Sequence, residues 1–338
     1  MNHGKLILMG GAALLVSCAH LEKPTGIQEQ NGRLETLLMA RSYSVEELGI
    51  TLADETGGQT IRWKEAIRPR TPVTLPLLPV EGGLSTQPRI AVTLNSGPPV
   101  PVTIDTGAGL NIFEAGLALS NQVKVADPKT FGNVFNGLGG QEFSYYGMFD
   151  RVNAGDLSMQ NLLTVLRVSG VNDAEVNNVF GLTTLAKFAS VAIDYAGGNA
   201  TFSLDEVTPP AGDRAFSVPL ILRPLQLIIE IEINNAYAVK VLLDTGNDAA
   251  VMLPQDLIEM FELSAAARAG RSGKFSSIGG TVEARTFLLP VISLNGHKFS
   301  SVEATAVPNG YPPSLGSGFL RGFKTTIDFK NGKLWLDQ

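Results

Sequence analysis

Val102-Thr103-Ile104-Asp105-Thr106-Gly107-Ala108 closes an apolar run on a carboxylate, with a glycine two residues on. Val241-Leu242-Leu243-Asp244-Thr245-Gly246-Asn247 does the same thing 139 residues later (244 − 105). Short aliphatic and β-branched runs bounded by glycine read as buried strands, with the glycine marking a tight turn. A carboxylate on such a turn is placed to meet its twin. Two carboxylates in contact cannot both ionise cheaply, so they share one proton and present an acid and a base together.

The similarity extends outward from both tripeptides in the same order. Arg89-Ile90-Ala91-Val92-Thr93-Leu94, a turn at Asn95-Ser96-Gly97 and Pro101-Val102-Thr103-Ile104 predict a hairpin leading into Asp105. Gln226–Ile233, the turn Asn234-Asn235-Ala236 and Val239–Leu243 predict the same hairpin before Asp244. Downstream, Gly137-Leu138-Gly139-Gly140 is answered by Ser277-Ile278-Gly279-Gly280. Val179-Phe180-Gly181-Leu182 is answered by Ser314-Leu315-Gly316-Ser317, and Val191-Ala192-Ile193-Asp194 by Thr325-Thr326-Ile327-Asp328. Landmarks matched in register imply an internally duplicated chain. Phe180 and Leu315 are expected in the core, and Asp194 and Asp328 as turn-capping carboxylates.

Composition agrees with a β-rich, two-lobed protein. The 338 residues are 44% hydrophobic and only 17% charged, with 36 glycines and 19 prolines, which suits many short strands joined by turns. The expected class is all-β. The net charge is −6, and no Lys/Arg run or basic aromatic stripe could follow a phosphate backbone, so nucleic acid is not an expected partner. Beyond the first eighteen residues only His20 and His297 are histidines, too few for a Ser-His-Asp triad or a histidine metal site. His297 is expected as an exposed turn residue.

Lys5 precedes an apolar run from Leu6 to Val16 that is short for a bilayer span and reads as a secretory signal. Its end, Leu15-Val16-Ser17-Cys18, resembles the lipobox of bacterial lipoproteins, in which the cysteine is the lipidated first residue of the mature chain. Cys18 is the sole cysteine. Since Ala19 follows it, the resemblance implies a lipid-anchored protein on the periplasmic side of a Gram-negative outer membrane. The expected division is therefore a signal peptide over 1–17, a tether or N-terminal extension over 18–72, a first lobe over 73–205, a linker over 206–213 and a second lobe over 214–338. A short helix is expected around Ser44–Leu48. Lys23, Arg33, Arg41, Arg62, Lys64, Arg68 and Arg70 also allow the extension to be read as a prosegment covering an acidic cleft.

Across residues 73–338 the chain resembles a bilobal aspartic protease whose lobes are each similar to a retroviral-type protease subunit. The resemblance implies two acid-protease β-barrel lobes with a cleft between them, and a catalytic dyad of Asp105 and Asp244. By the same resemblance Thr106 and Thr245 lock the two loops together, and Gly107 and Gly246 leave amides free to face the carboxylates. Gly139, Gly140, Gly279 and Gly280 fall where the family places its flaps, closing over an extended peptide. Tyr145 and Tyr146 lie on the returning strand of the first flap. The family usually has Ser, Thr or Ala after the glycine. Ala108 fits, whereas Asn247 departs from the pattern, with an amide able to donate to the outer carboxylate oxygen. The implied activity is peptide-bond hydrolysis of peptide or protein substrates, by a monomer needing neither metal nor cofactor. The contrasting expectation is a non-catalytic peptide-binding or envelope scaffold lipoprotein on the same duplicated fold.

Overall fold

The computed structural model describes residues 2–7, 34, 36–40, 42–55, 58–79, 85–127, 132–137, 140–167, 178–210, 212, 214–277 and 280–338. Among the described residues helix is confined to short segments: 34 and 36–39, Ala115–Ser120, Leu182–Leu185, Gln255–Met260, Ser264–Ala269 and Ser317–Leu320. The rest of the regular structure is strand.

Each predicted hairpin forms and is folded into a closed six-stranded barrel. In the first lobe the strands run, in spatial order, Leu157–Arg167, Ile112–Glu114, Val179–Phe180, Pro99–Ile104, Arg89–Leu94 and Gly140–Ala154, the last pairing back to the first. In the second lobe the order is Gln226–Ile233, Tyr237–Asp244, Ser314–Gly316, Val251–Pro254, His297–Val307 and Gly280–Leu294, closed by Ile233 opposite Ile292. Closure removes the free edges that an open sheet would expose. The turns repeat too: Asn95 and Asn234 both take left-handed backbone, which asparagine tolerates. Their amides reach the equivalent carbonyls of Arg151 and Val291.

A third sheet fuses the lobes. It runs Phe216–Pro219, Lys333–Asp337, Lys324–Asp328, Ser190–Asp194, Asn199–Ser203 and Val73–Pro76, three strands from each half. At its centre Ala192 stands opposite Thr326, its own counterpart in the duplication, so the approximate twofold axis passes between them. Asp194 accepts the Gly197 amide (2.6 Å) and Asp328 the Asn331 amide (2.8 Å), closing equivalent turns in which Gly198 and Gly332 both have φ of 64°. The aliphatic residues of both barrels and of this sheet form one continuous core, with Phe180 and Leu315 deep inside it.

Residues 42–72 are not a tether. Thr51–Glu55 and Gly58–Arg68 form a hairpin, and Ala66, Ile67 and Arg68 pair with Gln160, Met159 and Ser158 of the first barrel. Asn2–Ile7, inside the expected signal segment, runs antiparallel to Gly58–Arg68. Ser42 and Tyr43 run parallel to Val125 and Ala126. The expected helix at 44–48 is a single turn over 45–49, held by reciprocal bonds between Ser44 and Glu47 in the manner of a capping box. Val45, Leu48, Ile50, Ile61 and Trp63 are buried against the outer face of the barrel wall. The physical reason is that this wall is apolar on both faces. Phe149 and Leu162 point into the barrel, while Met148 and Leu163 point out and need a cover.

Position eight beyond each flap glycine tests this directly. Met148 is 3% exposed, and its counterpart Leu288 is 59% exposed on the uncovered second lobe. Met148→Ala should cost about 2–4 kcal/mol in equilibrium denaturation. Leu288→Ala, with little contact to lose, should cost under about 1 kcal/mol.

Candidate active site

Asp105 directly follows the strand Pro99–Ile104, and Asp244 ends the strand Tyr237–Asp244; each of these strands is flanked by the parallel segment bearing the apolar-Gly landmark. The lobes bring the two carboxyls into hydrogen-bonding contact. The contact is enforced by the residues on either side of it.

Thr106 Oγ1 donates to the Leu243 carbonyl (2.6 Å), and Thr245 Oγ1 donates to the Ile104 carbonyl (2.6 Å). In return the Thr106 amide donates to Thr245 Oγ1 (3.0 Å) and the Thr245 amide to Thr106 Oγ1 (3.1 Å). Both threonines are buried, so all four bonds exchange donors and acceptors that water does not reach. Gly107 and Gly246 complete the fit. A Cβ on Gly107 would lie 2.2 Å from Asp244 Oδ1, and one on Gly246 would lie 2.3 Å from Asp105 Cγ. Each glycine is required by the other lobe's carboxyl.

The carboxyls are not equivalent. Burial pushes both above the ordinary 3.8, and Asp244 well above it, because the neighbouring Asp105 adds to the effect. Asp105 is drawn back down by amides: Gly107 N at 2.8 Å and Ala108 N at 3.1 Å both donate to its Oδ1. Asp244 Oδ1 receives the Gly246 amide at a longer 3.2 Å. Charge therefore favours Asp105, and the shared proton favours Asp244.

The Asn247 backbone amide, like that of Gly246, draws Asp244 back down, but the Asn247 side chain supplies no further donor to the dyad. Its Nδ2 donates to Ser314 Oγ (2.9 Å) and its Oδ1 accepts the Ala249 amide (2.9 Å), so the side chain is spent inside its own lobe. The expected donation to the outer carboxylate oxygen is absent, because Ser314, where the first lobe has Val179, offers a buried partner instead. Tyr145 and Tyr146 are both buried, in the barrel core and in the outer layer respectively.

Gly140 and Gly280 begin the long strands Gly140–Ala154 and Gly280–Leu294, paired with Gly137 and Ser277. Gly139, Gly279 and Cys18 lie outside the described residues. Other participants carried no sequence signal. Gln87 Nε2 donates to the Gly246 carbonyl (2.7 Å), and Ser85 and Thr86 hydroxyls donate to Asp248 Oδ1 (3.0 and 2.9 Å), so a first-lobe segment clasps the Asp244 loop. Ser314 was readable, since aligning the repeats puts a polar residue where the first copy is apolar. His297 is exposed, as expected, and stacks on Phe216 with ring centroids 3.9 Å apart.

A family model described as aspartyl protease matches residues 229–319. The match contains Asp244-Thr245-Gly246, the paired strands Arg271–Ser277 and Gly280–Leu294, and Ser314-Leu315-Gly316. Among solved structures, the crystal structure of basic 7S globulin from soybean is similar at a TM-score of 0.50 and 13% identity, covering 80% of this chain and 95% of that one. At that identity the likeness shows the fold, two protease-like β-barrel lobes. No curated protein matches the chain.

Two predictions follow from the geometry. Thr106→Val and Thr245→Val should each destabilise by about 1–3 kcal/mol, by stranding a buried amide and a buried carbonyl on the other lobe. The double variant should lose less than the sum in a double-mutant cycle. For Asp244 the folded pKa exceeds the unfolded 3.8, so its stabilising contribution is complete below 3.8 and is lost as pH rises through the folded value. Asp244→Asn should therefore resist denaturant better than the parent at neutral pH, by about 1.4 kcal/mol for each pH unit of difference. The advantage should vanish toward pH 3.8 and below.

Proposed function

We propose that the protein is an aspartic endopeptidase, hydrolysing peptide bonds of extended peptide or protein substrates at the Asp105–Asp244 pair. The observation that carries the reading is the dyad itself, two buried carboxyls held side by side by the interlocked threonines, with burial raising the proton affinity of both and that of Asp244 the more. In the first step Asp105 takes a proton from a water molecule as its oxygen bonds to the scissile carbonyl carbon, and Asp244 gives its proton to the carbonyl oxygen. In the second, Asp105 returns a proton to the leaving nitrogen as the C–N bond breaks, and Asp244 recovers one from a hydroxyl of the tetrahedral intermediate. The pair ends as it began. The paired strands Gly132–Gly137 with Gly140–Ala154, and Arg271–Ser277 with Gly280–Leu294, would hold the substrate main chain as an added strand.

The aspartyl-protease match and the fold support this reading, and the intact tripeptides in both lobes favour it over a non-catalytic scaffold. We propose further that Cys18 carries a lipid anchor on the periplasmic side of an outer membrane; maturation there would remove residues 1–17.

Unfolded protein substrates incubated with purified protein across acid to neutral pH should be cleaved, and Asp105→Asn should lower kcat by about a thousandfold or more. Cleavage that survives Asp105→Asn, or none in the parent, overturns the enzyme reading. Cys18→Ser should move the protein from the membrane to the soluble fraction, and unchanged membrane retention would count against the anchor.

A further inference from the structure

The duplication provides an internal control on how each aspartate loop is held. Strand register equates Ile112 with Met252, Met148 with Leu288, Leu163 with Glu303 and Val165 with Thr305. On the second lobe two of these positions meet water, Leu288 being exposed and Glu303 paired at the surface with Arg271, whereas Met252 and Thr305 are buried, Met252 in a small cluster with Ala284, Val307 and Tyr311. On the first lobe all four positions are buried, and they share one apolar cluster with Val45, Leu48, Ile50, Ile61 and Trp63. That cluster continues through Leu110 and Val179 to Ala108, whose amide binds the Asp105 carboxylate.

A polar link runs to the same place. Glu65, on the strand Gly58–Arg68, is bonded to Lys187 and accepts Trp63 Nε1 at 3.1 Å. The Lys187 ammonium lies 4.6 Å from the centroid of the Trp63 ring. Lys187 follows the helical turn Leu182–Leu185, whose first two amides donate to the carbonyls of Ala108 (2.9 Å) and Gly109 (3.1 Å). The extension thus grips the turn that grips the Asp105 loop. At the corresponding points the Asp244 loop is held chiefly by polar groups, with the buried Met252 thioether 3.9 Å from Asn247 Nδ2. The Ser317 amide and Oγ both donate to the Asn247 carbonyl (2.8 Å each), alongside Gln87, Thr86 and Ser314.

We propose that residues 42–68 are a permanent buttress of the Asp105 loop, with Trp63 a positioning residue for the reaction, and that they are not a segment whose removal uncovers the site. Burial of five large apolar side chains is comparable with the whole stability of a domain. A segment so held does not leave while the lobe stays folded. The kinetic part of this proposal rests on the protease reading, and the structural part does not.

The test compares the full chain with its Trp63→Ala and Trp63→Phe variants, using Leu288→Ala as the control on the uncovered lobe. Amide hydrogen exchange should rise about tenfold or more over 105–113 in Trp63→Ala, with 244–252 unchanged. The parent kcat should fall about tenfold with KM within about twofold, and Trp63→Phe should restore most of both effects. Unchanged exchange in both loops, or faster cleavage by Trp63→Ala, overturns the proposal. If the parent cleaves nothing, the exchange comparison decides the matter by itself. Should Trp63→Ala fail to fold, a specific protease site inserted at Thr71 allows the folded parent to be cut. The fragment should then stay bound through gel filtration with activity retained, and a fragment that departs, or activity that rises on cutting, overturns the buttress.

Discussion

Four short hydrogen bonds between Thr106, Thr245 and the main chain beside them set everything else at the junction of the lobes. They are reciprocal and buried, so neither loop satisfies its own backbone without the other. With the loops locked in this way the two carboxyls have no freedom to separate and reduce their repulsion. The remaining response is chemical: the affinity of the pair for a proton rises. The raised affinity of Asp244 for that proton is a consequence of a constraint made by its neighbours in sequence, and the interlobe sheet centred on Ala192 and Thr326 holds the same axis from below.

Within that symmetric frame the two loops are supported by different physics. The Asp105 loop leans on packed apolar side chains, and its carboxylate takes two amides. The Asp244 loop is clasped by serine, threonine and glutamine, and Asn247 turns its amide toward Ser314. Packing energy depends weakly on direction, whereas hydrogen bonds specify it.

The barrels, the interlobe strands and the dyad were legible because each is marked twice. A turn that is ambiguous at Asp105 alone becomes a landmark when Asp244 repeats it in register, and Asp194 and Asp328 were read as caps for the same reason. The extension was missed because it occurs once and has no sustained period of its own. Its signal lay in the strands it covers: Leu163 is apolar where the second copy has Glu303, and Tyr146 is apolar in character where the second copy has Thr286. An outward-facing position that is oily in one copy and charged in the other announces a missing cover. The clasp from Ser85, Thr86 and Gln87 left no such trace, since three ordinary polar residues in a loop do not say which carbonyl they will meet.

Gly107 and Gly246 also bear on how the two halves of a fused duplicate drift apart. Each α-carbon lies against the opposite lobe's carboxyl, so a change at either position has to be answered by a change in the other half of the chain. The next residue is under no such obligation. Asn247 is answered by Ser314 within its own lobe, and Ala108 needs no answer beyond its amide. The boundary between what the two copies must keep in common and what each is free to vary falls between one residue and the next, at the point where the chain turns away from the axis.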